Sequence, residues 1–393
     1  MPANHLYIHV PFCARRCSYC DFSIAVRSAT PVEEYLTALR TELDLLSSDA
    51  SASKTMSKPA TISDSWVLDT VYLGGGTPSR LGGPGVARLL GIVRDRAPFD
   101  AGTEVTIEAN PDDVTPEATE AWVAAGVNRV SLGAQSFEDE VLRWMHRTHD
   151  ASQIETAVQI LRAGGIDNNS LDLIFSLPAH LDRSWDMDIE RALELQPSHV
   201  SLYGLTIEQH TPIARWADRG AIVEGTEEKY AEEFLYAHKA MSRAGFEHYE
   251  VSNFALPNRA SRHNSAYWTG AQYAGLGPSA HSFDGASRRW NVPAYANWVR
   301  NLAEGESVVA GEEELSAENR DAEAVYLGLR TNRGLLISES DLVAAKSWVG
   351  EEWAELEGLR IRLTPTGWLR LDSLAADIAA RRANREFALS KSA

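Results

Sequence analysis

Cysteine is nearly missing from this 393-residue chain: there are three, Cys13, Cys17 and Cys20, crowded into one short segment. An odd, crowded triplet cannot close a disulfide framework, so the expected setting is cytoplasmic rather than oxidising. Long apolar runs are missing too. No stretch of about 18 apolar residues occurs. The start, Met1-Pro2-Ala3-Asn4-His5, lacks the basic residues and long apolar core of an export signal. Positive charge is in deficit, with 37 Lys and Arg against 55 Asp and Glu, a formal charge of −18. Such a surface repels phosphates, so nucleic acid is not an expected partner.

What is present is an ordinary globular composition, 44% hydrophobic, long enough for several domains or one barrel with additions. The first half alternates short β-branched runs with longer helical patterns, the mark of βα units around a parallel sheet. Six strands are expected, at Leu6–Val10, Asp69–Leu73, Glu104–Ala109, Arg129–Gly133, Ser170–Ile174 and His199–Leu205. Helices are expected near Val32–Leu46, Gly85–Asp95, Pro116–Ala125, Ala151–Ala163 and Ser184–Leu195. Thr115-Pro116 opens one of them and Gly126 closes it. Ser47–Ser65, rich in Ser, Ala, Thr and Lys, is expected to be a solvated insertion.

After Leu205 the alternation ends. Glu227–Ala244 has an amphipathic pattern, and an aromatic, Asn- and Gly-rich stretch runs on to about Asn291. The tail is expected to hold helices at Asn319–Leu329 and Ser338–Lys346, and a hairpin of Arg360–Leu363 with Trp368–Leu371, a winged-helix-like α+β module. Arg381, Arg382 and Arg385 are too few to turn that module toward DNA. The expected division is 1–215, 216–310 and 311–393.

Reactive groups of parallel α/β folds gather at the C-terminal ends of the strands. The three cysteines follow the first expected strand, Gly74-Gly75-Gly76-Thr77-Pro78 follows the second, Glu108 closes the third, Gln135 follows the fourth and Asp172 lies in the fifth. Three thiolates so spaced can face one metal centre. Zinc could add His9 or His5 to complete a Cys3His set; a conventional iron–sulfur cluster needs a fourth thiolate that the chain lacks. In a third case the three thiolates hold a [4Fe–4S] cluster with one iron open to a small molecule. Taken alone, the glycine run could be a tight turn, Glu108 a strand end, Asp172 a helix cap and Arg147 a surface charge.

Together these residues resemble the radical S-adenosylmethionine proteins of the oxygen-independent coproporphyrinogen III oxidase-like family. The resemblance rests on Tyr7-Ile8-His9-Val10-Pro11-Phe12-Cys13, the Cys-x3-Cys-x2-Cys spacing, Leu73-Gly74-Gly75-Gly76-Thr77-Pro78-Ser79, Gly133-Ala134-Gln135-Ser136-Phe137 and Leu171-Asp172-Leu173-Ile174-Phe175-Ser176-Leu177-Pro178. It implies a partial (β/α)6 barrel with a C-terminal accessory region. It also implies a cluster on Cys13, Cys17 and Cys20 whose open iron chelates S-adenosylmethionine. Gly75, Gly76 and Thr77 would line the methionine amino group, Glu108 would bind the ribose hydroxyls and Arg147 the carboxylate. Gln135 and Asp172 would complete the pocket, and Tyr7 would flank the cluster.

Two functions sit within that resemblance: an oxidase that decarboxylates a porphyrinogen, and a heme chaperone of the HemW type. The oxidase carries a further cysteine two residues after the third ligand, where this chain has Phe22, and a long N-terminal extension where only a handful of residues precede the first strand. His263-Asn264-Ser265-Ala266-Tyr267-Trp268 is an HNxxYW motif that the resemblance ties to the heme chaperones. A neutral imidazole suits heme iron and adjacent Tyr and Trp suit a flat macrocycle, although a histidine packed beside two core aromatics reads the same way. His281 and Tyr249 lie in the same stretch. The expectation is heme carriage by His263, Tyr267 and Trp268. Heme and a heme-acceptor protein, respiratory and membrane-associated, are the expected partners, with a homodimer left open and coproporphyrinogen dehydrogenase activity not expected.

Overall fold

The strands that form the barrel alternate apolar and polar residues, and the fold uses both faces. A computed structural model describes residues 4–47 and 67–390. Six parallel strands, β1 (His5–Val10), β2 (Thr70–Gly75), β3 (Glu104–Ala109), β4 (Arg129–Gln135), β5 (Asn169–Phe175) and β6 (His199–Gly204), lie side by side in that order. Leu6, Ile8, Val71, Leu73, Val105, Ile107, Val130, Leu132, Leu171 and Val200 are buried against the helices in one continuous core. That core includes Leu36, Leu39 and Leu43 of the helix Val32–Ser47, and Leu89 and Val93 of the helix Gly82–Arg94. The alternate positions, among them Tyr7, Tyr72, Thr106, Glu108, Ser131, Asp172 and Ser201, carry polar groups. Each apolar chain buried there contributes about 1.5–3 kcal/mol.

The sheet does not stop at six strands. Beyond β6 come β7 (Glu247–Glu250) and β8 (Asn253–Ala255), with β8 antiparallel to β6. Beyond β1 come β9 (Tyr273–Leu276), β10 (His281–Phe283), β11 (Ser287–Asn291) and β12 (Val309–Glu314), with β9 parallel to β1 and the rest antiparallel. Among the described residues this makes one 12-stranded sheet, a partial (β/α)6 barrel with a wing on each side. Strand β12 straddles the boundary expected at 310.

The tail folds as helix Ala317–Arg330, strand β13 (Leu335–Leu336), helix Leu342–Gly350 and a hairpin of β14 (Ala354–Glu357) with β15 (Arg360–Leu363). This is a winged-helix-like α+β order, with one correction. Trp368–Leu371 is not the hairpin's second strand: the partner is β14, upstream. Thr364 accepts a hydrogen bond from the Gly367 amide and Pro365 fills the first helical turn, so the chain enters the short helix Pro365–Trp368. Arg381 is bonded to Asp377 and Arg382 to Asp321 and Asp341, so acidic neighbours take up these cations. The expected insertion at Ser47–Ser65 lies, but for Ser47, outside the described residues. No helix among the described residues is long and apolar enough to cross a membrane.

Candidate cofactor site

The chain leaves β1 at Val10 and pairs Phe12–Cys13 with Ala25–Val26, which closes the cysteine segment into a loop over the barrel end. The Ala25 amide donates to the Pro11 carbonyl at 2.7 Å and the Arg27 amide to the Cys13 carbonyl at 3.0 Å. The Ser18 amide donates to the Met145 carbonyl at 3.1 Å, tying the loop to the segment after β4. Cys13, Cys17 and Cys20 all line one cavity of about 390 Å³ at the C-terminal ends of the barrel strands. Burial pushes the Cys13 thiol up and Cys20 up to about 11, so at neutral pH these thiols hold their protons until a metal displaces them.

Neither His9 nor His5 lines this cavity as a fourth ligand for zinc. Among the described residues no three His, Cys, Asp or Glu side chains converge on one ion position. His9 is committed elsewhere, with Nδ1 3.1 Å from the Tyr7 hydroxyl and Nε2 3.0 Å from the Ser23 carbonyl, while His5 Nδ1 lies 3.0 Å from Thr70 Oγ1. Three separate soft thiols around one cavity suit a larger, polynuclear group.

Gly75, Gly76, Thr77, Glu108, Gln135, Arg147 and Asp172 line the same cavity. Gly75 has a φ of 112°, which favours glycine, and a Cβ on Gly76 would fall 2.7 Å from the Pro11 backbone. Glu108 accepts from the Tyr72 hydroxyl at 2.8 Å and from the Gly75 amide at 3.0 Å; burial nevertheless pushes its pKa up to about 7. Arg147 donates through Nη2 to Asn110 Oδ1 at 2.7 Å and to the Gly133 carbonyl at 2.9 Å, and its Nη1 lies 3.5 Å from Cys17 Sγ. Its Nε is buried without a partner, a spare donor beside the cavity. Asp172 accepts from Ser131 at 3.0 Å and Ser170 at 3.1 Å, with its pKa raised by burial. Strand β4 slips register with β5 between Leu132 and Gln135, and Gln135 takes a φ of 68°, a bulge of the kind that re-aims a side chain.

Tyr7 is set apart from this group. It stacks on Tyr72 at 6.2 Å and bonds His9, outside the cavity lining. Tyr19, Asn110, Ser131, His146 and Tyr203 line the cavity and are absent from the expected set. Tyr203 is the penultimate residue of β6, and the strand-end rule alone would have found it.

The HNxxYW motif begins the helix Arg262–Trp268, whose first amides, Arg262 and His263, are held by the Glu104 carboxylate at 3.0 and 2.9 Å. His263 is buried, and both ring nitrogens are occupied: Nδ1 lies 2.6 Å from Thr70 Oγ1 and Nε2 2.9 Å from the Tyr267 hydroxyl. Burial lowers its pKa to about 3, so the ring is neutral. As folded, His263 has no ring nitrogen to spare, so ligation of heme iron by it would require breaking one of these two bonds. Tyr267 is spent on His263, and Trp268 carries the Arg330 guanidinium 4.2 Å over its ring.

Residues 7–192 match the model of the radical SAM superfamily. Over 375 residues the chain is 35% identical to a Mycobacterium tuberculosis protein named heme chaperone HemW, covering 94% of this chain and 93% of that one. The chain belongs to the HemW family of radical SAM proteins. Other HemW relatives include one from Lactococcus lactis, 32% identical over 86% of this chain and 84% of that one, and one from Bacillus subtilis, 34% identical over 84% of each. Among solved structures, coproporphyrinogen III oxidase (HemN) from Escherichia coli has the same fold, with a TM-score of 0.77 and 22% identity over 95% of this chain and 90% of that one. HemW membership carries with it the superfamily's [4Fe–4S] cluster and S-adenosylmethionine, and the polar lumen and strand-end cavity are where this chain could hold them.

Proposed function

We propose that this protein is a cytoplasmic heme chaperone, which binds heme beside a [4Fe–4S] cluster with its S-adenosylmethionine and passes heme to a membrane-associated respiratory acceptor. The observation that carries this reading is end-to-end similarity to proteins named heme chaperones, on a chain whose three thiols all face one cavity. The residues present fit the cofactor pair. Cys13, Cys17 and Cys20 are the thiolates for three irons, and the mixed polar wall suits an amino acid and a ribose. In this reading Gly75, Gly76 and Thr77 receive the methionine amino group, Glu108 accepts from the ribose hydroxyls and Arg147 faces the carboxylate, with Gln135 and Asp172 completing the wall. When bound, the cluster supplies an electron donor next to a sulfonium. Residues 1–215 serve this site, 216–310 serve heme and 311–393 form a packing module.

Phe22 favours carriage over porphyrinogen decarboxylation. It stands where the resemblance puts the oxidase's further cysteine, lines the cavity and is 59% exposed. The test is an anaerobic titration of the cluster-loaded protein with heme, followed by mixing with a heme-free acceptor and, separately, with coproporphyrinogen III and S-adenosylmethionine. A saturable heme spectrum that moves to the acceptor supports the proposal. Protoporphyrinogen formation at enzymatic rates, or no saturable heme binding, overturns it.

A further inference from the structure

We infer that heme docks on the face of the β10–β11 wing carried by His281 and Trp290, with His281 as the axial ligand. This rests on the heme-carrier reading and names the site that reading leaves open. His281 and Trp290 are direct cross-strand partners, their rings stacked at 5.9 Å and 26°. His281 is exposed, and among the described residues its ring nitrogens have no hydrogen-bond partner. Four other imidazoles of the barrel and its wings are committed at both ring nitrogens. His263 and His9 are bonded at both nitrogens, and so are His199, to Ser170 and Tyr249, and His248, to His238 and the Val251 carbonyl. Tyr249 is buried on His199 and the Ser261 amide, which removes it as an alternative.

Strand geometry sets what surrounds the imidazole. Residues two apart share a face, so Phe283 joins His281 and Arg288 joins Trp290. Phe283 and Arg288 are also cross-strand partners, with the guanidinium 5.4 Å over the phenyl ring. On the far side Trp290 pairs with Gly311, and its indole lies across the place a Cβ would occupy there, so no side chain stands beside it on that strand. The face therefore offers an exposed imidazole, the half-buried Trp290 ring and a guanidinium, above the buried Phe283. The imidazole and the guanidinium match the iron and the anionic propionates of heme, and the Trp290 edge adds an apolar contact. An axial imidazole stands perpendicular to the macrocycle, so the stacked Trp290 would meet the heme edge-on while fixing the rotation of His281. Arg288, now paired with Glu323, would turn to a propionate. The same face runs back to the HNxxYW helix, since Phe283 lies 6.3 Å from Tyr273 and Tyr273 lies 4.7 Å from Tyr267. The motif thus braces the wing from behind.

The test is titration of the cluster-loaded full chain with ferric and ferrous heme, read by the Soret band and by the electron-spin signature of the axial ligand. Wild type, His281→Gly, Trp290→Ala, His263→Gln and His180→Ala are compared, the last because His180 is also exposed and lies edge-on to Trp144. The expected result is loss of the histidine signature and roughly tenfold or more weaker binding in His281→Gly, with free imidazole restoring the signature. Trp290→Ala should weaken binding while keeping it. An unchanged signature in His281→Gly overturns the inference, as does its loss in His180→Ala, while the carrier reading stands. Should His263→Gln fail to fold, His281→Gly with imidazole rescue still decides. No saturable heme binding by wild type overturns both.

Discussion

The imidazole of His263 stacks on the ring of Tyr72, centroids 5.0 Å apart and 26° from parallel. Tyr72 also donates its hydroxyl to Glu108 at 2.8 Å, and Glu108 lines the thiol-bearing cavity. Two rings and one hydrogen bond thus join the HNxxYW motif to the cofactor site through the barrel lumen. The motif acts from inside the barrel, as a support for the carboxylate that the proposal gives to the ribose.

Replacing Tyr72 by Phe keeps the stack and removes the donor. The Glu108 carboxylate, already raised by burial to about 7, loses a bond that favours its charged form, and its pKa rises further. S-adenosylmethionine affinity at pH 7 should fall roughly 3- to 10-fold, about 1 kcal/mol, and recover toward pH 9. Calorimetric titration across that range checks it; an unchanged pH profile would detach Glu108 from the cofactor.

Glu42 predicts a pH effect on stability alone. It is buried on the helix Val32–Ser47 and accepts from the Gly277 amide, Asn291 and Trp298, yet burial pushes its pKa up to about 7. Below the usual carboxyl range the folded and unfolded chains both hold the proton, and the group costs nothing. Between the usual carboxyl range and about 7 the unfolded chain ionises while the folded one keeps its proton, so stability falls as pH rises across that window and levels off above it. Between pH 5 and 8 the wild type should lose on the order of 1–3 kcal/mol from this group, and Glu42→Gln should flatten the slope. Urea unfolding at the two pH values measures it.

Much of this molecule could be read from its residues. The six barrel strands were each expected within two residues of where they begin, because Leu6, Ile8, Val71, Leu73, Val105 and Ile107 alternate with polar neighbours and short turns punctuate them. The gathering of the thiols, the glycine loop, Glu108, Gln135 and Asp172 at one end followed from strand direction. What stayed hidden depended on long-range partners. That His263 is consumed by Thr70 and Tyr267 is set by a hydrogen bond across 193 residues. Nor does local pattern separate Trp368–Leu371 from a strand, since the Thr364 cap that bends it into a helix serves equally well in a turn.

Arg183 tests the packing around β5. It is buried between Asp188 at 3.2 Å and Glu233 at 2.8 Å, each partner also largely buried. Arg183→Ala would take the guanidinium from two carboxylates that keep Ser136, the Phe137 and Ser176 amides and Lys229, and should cost about 3 kcal/mol, seen as a lower denaturation midpoint. A loss under about 1 kcal/mol would mean the pair is solvated.

At Gly76 a methyl group would press on the Pro11 carbonyl carbon and oxygen, both 2.7 Å from the added Cβ. Backbone cannot yield as a side-chain tip does, so Gly76→Ala should displace the glycine loop from the β1 exit. The expected outcome is a roughly tenfold or greater loss of S-adenosylmethionine affinity with iron content retained, measured on reconstituted protein.

The account stands on Cys13, Cys17 and Cys20 holding one iron–sulfur cluster. Its most direct test is iron and acid-labile sulfide analysis of anaerobically prepared protein, wild type beside a Cys13→Ala, Cys17→Ala, Cys20→Ala triple variant. The account predicts roughly four irons and four sulfides per wild-type chain, a brown colour, and neither in the variant. Stoichiometric zinc with no labile sulfide in the wild type, or an undiminished cluster in the variant, would contradict it.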